Sequence, residues 1–335
     1  MLNLYFMSIL YGSLFFIGLV SHFRFITRGE YWLFDLFSNF VLQYSLFAVA
    51  AFLGALWTHD ILLGVFALYI FIINISAILN GKIMKAKVNK TNEFIGVYLA
   101  NIWCRNSKIN QLQEEIATVN PECVFLMEIK TTHIKLFENL INQFPHRILE
   151  PRENTTGFIF LSLYPVIDYQ IINLNEHGNR PILKAQIKMD SRIVSFYGAH
   201  PHTPIGKRKF RYRNDLLKWL AASVLKDPNP VIVVGDFNTT TFSPVFRRFL
   251  AQSGLIDTRT WNGIPPTWPK YFPLLWLPLD HVLVNSSFDV LSDKLGRAMG
   301  SDHFAKIVTL SLNDERGCLT EASDELFKSR FSGHN

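Results

Sequence analysis

Cysteine is scarce: Cys104, Cys123 and Cys318 are the only three in 335 residues. Their spacing fits neither a disulfide framework nor a metal knuckle, and suits small apolar residues in a reducing compartment. Charge is also missing from one end of the chain. No lysine precedes Lys82, and Met1 to Phe23, Leu36 to His59 and Ile61 to Gly81 contain no Asp, Glu, Lys or Arg. A helix needs about 20 residues to cross roughly 30 Å of hydrocarbon, so each run is long enough. A cleaved signal peptide would account for the first alone, and that run has no basic n-region and no small-residue cleavage site. The three runs therefore read as transmembrane helices, at about 3–23, 36–58 and 61–81. Tyr31, Trp32 and Trp57 stand near their ends, where aromatic rings favour the interface.

Orientation follows from the few basic residues nearby. Arg24 and Arg28 sit in the first connection, the second is Thr58-His59-Asp60, and the third run exits into Lys82, Lys85, Lys87 and Lys90. The positive-inside rule places the amino terminus outside and everything after residue 81 in the cytoplasm. Only Arg24, Arg28, Glu30, Asp35 and Asp60 carry charge before residue 82, so the rest of the chain is more basic than the overall +6. Such a surface suits a polyanion or an anionic lipid face, and equally a merely basic exterior.

There is no internal repeat. A lysine-rich linker, 82–92, leads to a region of short apolar runs bounded by turn residues and interspersed with amphipathic helices. Strands are expected at 94–103, 123–129, 157–163, 182–189, 193–199, 231–235, 281–284 and 306–312. Helices are expected at 108–119, 134–143, 209–225 and 244–251, the last with Ser243 as N-cap and Pro244 at its first position. Several strands follow one another with only a turn between them, which excludes a uniform βαβ array. The remaining class is α+β, two packed sheets with helices outside, in one domain over 93–312. The tail, 313–335, is polar and reads as disordered.

In "VIVVGDFNTTTFSPVFRRFL", residues 231 to 250, a strand ends in Gly-Asp-Phe-Asn. Alone, Asp236 and Asn238 read as an Asx turn. Other polar residues gather at other strand ends: Asn101 in "YLANIW", Glu128 after "CVFLM", His200 after "VSFYGA", Asp280 before "HVLV", and Asp302-His303 before "FAKIVTL". Phosphodiester hydrolysis needs this combination. Hard oxygen ligands such as Glu128 and Asp302 hold a divalent cation, and a histidine held by a carboxylate, as His303 by Asp280, handles a proton. Six separate structural explanations are a poorer account than one shared site.

These segments, with "GFIFLSLYPV", "YGAHPHTP" and "PPTWP" in the same order, resemble the endonuclease/exonuclease/phosphatase superfamily, the fold of pancreatic-type deoxyribonucleases. The hydrophobic helices ahead of them resemble a bacterial branch of it, which implies the inner membrane. The resemblance implies a four-layer αββα sandwich with the site at one end of the sheets. It implies Mg²⁺, with Mn²⁺ as a substitute, on Glu128 with Asn101 and Asp302 nearby. Asp236 and Asn238 would align the water and bind the phosphate, His303 with Asp280 would act as base or transition-state stabiliser, and His200 would face it as donor or acid. Arg211 and Asn214 are expected phosphate contacts.

Leu163 stands where many relatives have a basic residue. Thr239-Thr240-Thr241 replaces the continuation that marks inositol phosphatases, and the Ala-His of abasic-site enzymes is absent. The expected activity is a membrane-anchored nuclease acting on DNA or RNA. A lipid phosphodiesterase or phosphatase is the rival, and a catalytically silent scaffold is the third reading. "YFPLLWLP", from Tyr271 to Pro278, reads as a packed loop, or else as an apolar lip at the bilayer. The topology has a direct check: a reporter fused after Asn335 should give a cytoplasmic signal, whereas a periplasmic signal would mean that the helix count is wrong.

Overall fold

The computed structural model describes residues 2–26, 30–79, 93–174, 179–190, 192–259, 265–297 and 299–313. The expected linker and, apart from Asn313, the expected tail lie outside the described residues. The amino-terminal region forms α1 (Leu2–Ile26), α2 (Trp32–Phe37), a 3-10 turn (Ser38–Phe40), α3 (Val41–Thr58) and α4 (Ile61–Leu79). Met7–Arg24, Trp32–Thr58 and Ile61–Leu79 are long and apolar enough to cross a membrane. Small residues let helix backbones approach closely. Here Ala48, Ala51 and Ala55 of α3 face Leu63, Ala67 and Ile70 of α4, with Leu14 and Ile17 of α1 closing the cluster. On the outer face of α3, Leu42, Leu46, Val49, Leu53 and Leu56 stay exposed at helical spacing.

The described residues from 93 onward contain twelve strands: β1 (Phe94–Asn101), β2 (Cys123–Met127), β3 (His146–Glu150), β4 (Phe158–Ser162), β5 (Val166–Ile172), β6 (Ile182–Met189), β7 (Arg192–Ala199), β8 (Val231–Asp236), β9 (Ile256–Asp257), β10 (Asp280–Val284), β11 (Phe288–Leu295) and β12 (Lys306–Leu312). They make two six-stranded sheets, ordered β11-β12-β1-β2-β4-β3 and β5-β6-β7-β8-β10-β9. Phe125, Phe160, Phe196 and Val282 belong to the apolar layer between the sheets. Helices α5 (Ile109–Val119), α6 (Thr131–Leu136) and α7 (Glu138–Gln143) cover the outer face of the first sheet. Helices α8 (Lys207–Leu225) and α9 (Pro244–Ser253) cover that of the second. The expected four-layer sandwich is what forms. The helix expected at 134–143 is broken into α6 and α7, and Ser243 caps α9 as expected, its hydroxyl accepting from the Val245 and Phe246 amides.

All eight expected strands form. The four that the sequence did not announce, β3, β5, β9 and β11, are the edge strands of the two sheets. An edge strand has one unpaired side and is often kept polar as a guard against further pairing. Val166–Ile172 carries Asp168, Tyr169 and Gln170 in its exposed middle, so it shows no apolar run.

The helical region docks on this sandwich through buried polar contacts. The Asp35 carboxylate receives Arg213 Nη2 on one oxygen and the Ser243 hydroxyl on the other, each at 2.5 Å, with both charged side chains fully buried. Asn39 Oδ1 accepts from the Thr240 amide at 2.8 Å and from the Thr239 hydroxyl. Arg247 donates to the Ala77 carbonyl. Removing one member of a buried pair leaves an uncompensated charge, at a cost of about 3–5 kcal/mol. Arg213→Ala should therefore lower the unfolding midpoint of the full chain in detergent by several degrees; an unchanged midpoint would contradict this junction.

Candidate active site

The topology brings the polar strand ends together. Each sheet has one parallel pair, β1 with β2 and β7 with β8, and the other pairings are antiparallel. Asn101, Glu128, His200 and Asp236 therefore stand at or just beyond the carboxyl ends of four strands on one side of the sandwich. Strands β10 and β12 run the opposite way, so Asp280 and His303 arrive at the same side from their amino ends. Register completes the match, because Asp280 lies directly opposite Asp236. Only glycine fits at 235: a Cβ there would lie 1.8 Å from the Ala199 carbonyl oxygen. That close approach holds the ends of β7 and β8, with His200 and Asp236, side by side.

Asn101 Nδ2 donates to Glu128 Oε1 of its own sheet at 3.2 Å and across the sheets to Asp236 Oδ2 at 3.1 Å. Glu128 adopts a left-handed φ of 65°, rare for a side chain branched only beyond Cβ, and its other oxygen accepts from the Cys104 amide at 3.0 Å. His303 Nδ1 lies 2.8 Å from Asp280 Oδ2, and its Nε2 faces Asp236 Oδ2 at 3.8 Å. Asn238 (φ 51°) donates its own amide to Asp236 Oδ1, and its side chain is fixed by the Pro201 carbonyl and the Thr203 hydroxyl. Asp302 accepts from the Trp268 indole at 3.1 Å.

Burial and charge set the protonation states. Burial opposes charge on His303, yet the carboxylates of Asp280, Asp236 and Asp302 overcome it and raise its pKa to about 10. The Asp236 pKa is raised to about 7, by burial and then by the charge of Asp280. His200 is held well below its ordinary value by burial, then by Arg180, His303 and His202. Arg180 Nη1 stands 3.2 Å from His200 Nδ1. A guanidinium only donates, so Nδ1 accepts and the ring proton sits on Nε2, which faces Asp236 Oδ2 at 3.5 Å.

Asp236, Asp280 and His303 offer ligand atoms within 4.8 Å of one another. Glu128 joins them through Asn101, and Asp302 flanks His303 from the neighbouring position. Among the described residues, neither Arg211 nor Asn214 is bonded to this group. Arg211 is exposed beside the Tyr212 ring, and Asn214 accepts from Arg213 Nε at 2.7 Å, steadying the residue that binds Asp35. Sequence reasoning missed Arg180. Its Nη1 reaches His200 and its Nε is buried with no hydrogen-bond partner, leaving a cationic donor beside the cluster. The available signal was a basic residue two positions before a strand, but only the sheet order shows that this strand starts at the active end.

The His303 pairing has a consequence for stability. Its pKa lies above the ordinary 6.5, at about 10, so the folded state binds the extra proton more tightly. This stabilisation is complete below about pH 6.5 and is lost as pH rises through about 10. In metal-free protein the unfolding midpoint should decline more steeply over that window for wild type than for Asp280→Asn; equal slopes would contradict the pairing.

Comparison with known proteins accords with this geometry. The endonuclease/exonuclease/phosphatase family matches residues 99–303. Among solved structures, an endonuclease/exonuclease/phosphatase from Beutenbergia cavernae is 18% identical, with a TM-score of 0.57 over 66% of this chain and 72% of that one. A family member from Bacteroides vulgatus is 16% identical, with a TM-score of 0.57 over 66% and 99%. TDP2 of D. rerio, complexed with single strand DNA product, is 15% identical, with a TM-score of 0.57 over 65% and 99%. No curated protein matches the chain. The matched residues span more than half of the chain, and the chain belongs to the endonuclease/exonuclease/phosphatase family of metal-dependent hydrolases acting on phosphate esters.

Proposed function

We propose that the protein is a phosphodiesterase dependent on Mg²⁺, with Mn²⁺ as a substitute, and anchored in a membrane by its three apolar helices. The observation that carries this reading is the convergence of Glu128, Asp236, Asp280 and His303 at one end of two sheets. The residues suit a hard divalent cation: the donors are carboxylate and amide oxygens, and Asp280 Oδ1 is buried without a hydrogen-bond partner. Glu128, with Asn101 and Asp302, is the proposed ligand set, and Asp236 and Asp280 border it. A bound divalent ion would neutralise the phosphate and favour hydroxide as the nucleophile.

The side chains divide the remaining work. Asp236, held by Asn101 and by the Asn238 amide, orients the attacking water and takes its proton. His303, kept as an imidazolium by Asp280, donates to a phosphate oxygen as negative charge grows on it. His200 offers its Nε2 proton from the other side, backed by Arg180, and the second Nδ2 hydrogen of Asn238, the first being given to the Pro201 carbonyl, binds a further phosphate oxygen. A silent scaffold would have no need to retain this whole set. The docked domain lies at the Arg24 end of the helices, in keeping with a cytoplasmic position.

Nucleic acid is the first substrate class to consider, since the similar TDP2 structure carries a single strand DNA product. The exposed stretch Tyr271–Trp276 favours a second, a phospholipid. The phosphodiesterase reading itself is tested with a small soluble diester. Glu128→Ala and His303→Ala should each lower Mg²⁺-dependent hydrolysis of bis(p-nitrophenyl) phosphate by about 100-fold or more, with unchanged circular dichroism. Undiminished rates in both variants would overturn the assignment.

A further inference from the structure

Residues 265–280 form a loop whose base belongs to the active site. Trp268 and Leu277 pair across it. On one side the Trp268 indole and the Lys270 amide hold the side chain and carbonyl of Asp302. On the other, the Thr267 hydroxyl accepts from the amides of Leu279 and Asp280. The tip of this loop is not packed. Tyr271 is 66% exposed, Phe272 51% and Leu274 74%, with Leu275 and Trp276 beside them also exposed. The packed-loop expectation for this stretch is therefore corrected, because among the described residues no other element covers Tyr271, Phe272 and Leu274.

The tip meets the helices where α3 begins. Gln43 Nε2 donates to the Trp276 carbonyl at 3.0 Å. Leu42, one residue earlier, is the first member of the exposed apolar stripe that continues through Leu46, Val49 and Leu53. The lip thus stands level with one end of a bilayer-spanning surface, where Trp and Tyr are favoured. Between α3 and the loop lies a cavity of about 230 Å³, lined by Leu42, Gln43, Phe242, Pro266, Trp276 and Pro278. It exceeds the ~150 Å³ apolar cavities that take up benzene. Phe242 is four residues beyond Asn238, and Pro278 is two before Asp280, so two walls of the cavity lead along the chain to the phosphate-binding strand ends.

We propose that the substrate is a phospholipid that reaches the site from the bilayer, its chain in the slot between α3 and the 265–280 loop and its phosphodiester at Glu128, Asp236 and His303. This rests on the phosphodiesterase reading above and adds the substrate class. The lip enters the interface, so a lipid slides toward the site along Leu42 and Trp276 without leaving an apolar environment. A strand of nucleic acid would use cationic and aromatic stacking contacts, which leaves the exposed aliphatic side chains Leu274 and Leu275 and the apolar slot without a role. In the reaction, water adds to phosphorus and one of the two P–O ester bonds breaks. The departing alkoxide takes up the proton that the water gives up.

The test uses the full chain, reconstituted with Mg²⁺ in vesicles of phosphatidylethanolamine and phosphatidylglycerol in equal parts, with sphingomyelin and phosphatidylinositol vesicles in parallel. Products are followed by ³¹P NMR. Bis(p-nitrophenyl) phosphate and a single-stranded oligonucleotide serve as soluble substrates. Two variants outside the catalytic set are compared with wild type: Leu274→Asp with Leu275→Asp at the lip, and Leu42→Trp in the slot. The expected result is phospholipid cleavage that falls at least tenfold in both variants while hydrolysis of the small diester is unchanged. Cleavage of the oligonucleotide and the small diester but of no phospholipid would overturn the proposal and leave the phosphodiesterase reading standing. Phospholipid cleavage at wild-type rate in both variants would overturn the assigned route, and no hydrolysis of any substrate would overturn both readings.

Discussion

Two carboxylates buried side by side in a protein interior cannot both stay charged without a compensating cation. That constraint governs this structure. Asp236 and Asp280 are opposite each other in the register of β8 and β10, and both are buried. The chain compensates with His303 on Asp280, Asn101 on Asp236, and the Asn238 amide beneath it. Asp280 Oδ1 still has no partner, and Asp236 remains shifted toward its neutral form. A divalent ion and a phosphate ester would complete this balance together: the ion would lie beside the carboxylates, and the imidazolium would meet the phosphate. The features that make the site costly in isolation are those that suit it to charge rearrangement.

The loop from Asp236 to Ser243 carries this chemistry on one side and the attachment of the helices on the other. Its first three residues supply Asp236 and Asn238. Thr239 and Thr240 are held by Asn39, the Thr239 carbonyl is held by His281, and Ser243 is held by Asp35. Buried polar contacts are geometrically demanding, since each partner must be satisfied. The helical region is thus fixed in one orientation on the sandwich, and the lip, the slot and the phosphate site keep a constant relation to the surface of α3.

Much of this was legible in the amino-acid sequence, and the parts that were not share a cause. Interior strands such as Val231–Asp236 and Cys123–Met127 are buried throughout and announce themselves as apolar runs. The edge strands, half polar, do not. The catalytic candidates were visible because they interrupt apolar strands with groups that a strand end does not otherwise need. Arg180, Arg213, Asp35 and Asn39 were invisible because their roles depend on partners far away in the chain: Asp35 meets Arg213 across 178 residues, and Asn39 meets Thr240 across 201. Arg213 lay beside two residues expected to contact phosphate, Arg211 and Asn214, but helix geometry turns it inward to Asp35. For Tyr271–Trp276 composition alone left open whether the apolar side chains are packed or presented.

The central claim is that Glu128, with Asn101 and Asp302 on the first sheet, holds one divalent cation beside Asp236 and Asp280 of the second. Calorimetric titration of Mg²⁺ into the full chain in detergent at neutral pH tests it most directly. The account predicts saturable binding of one ion, weakened about tenfold or more by Glu128→Gln, while Leu274→Asp at the lip binds as wild type does. No saturable binding, or the same affinity in Glu128→Gln, would contradict it.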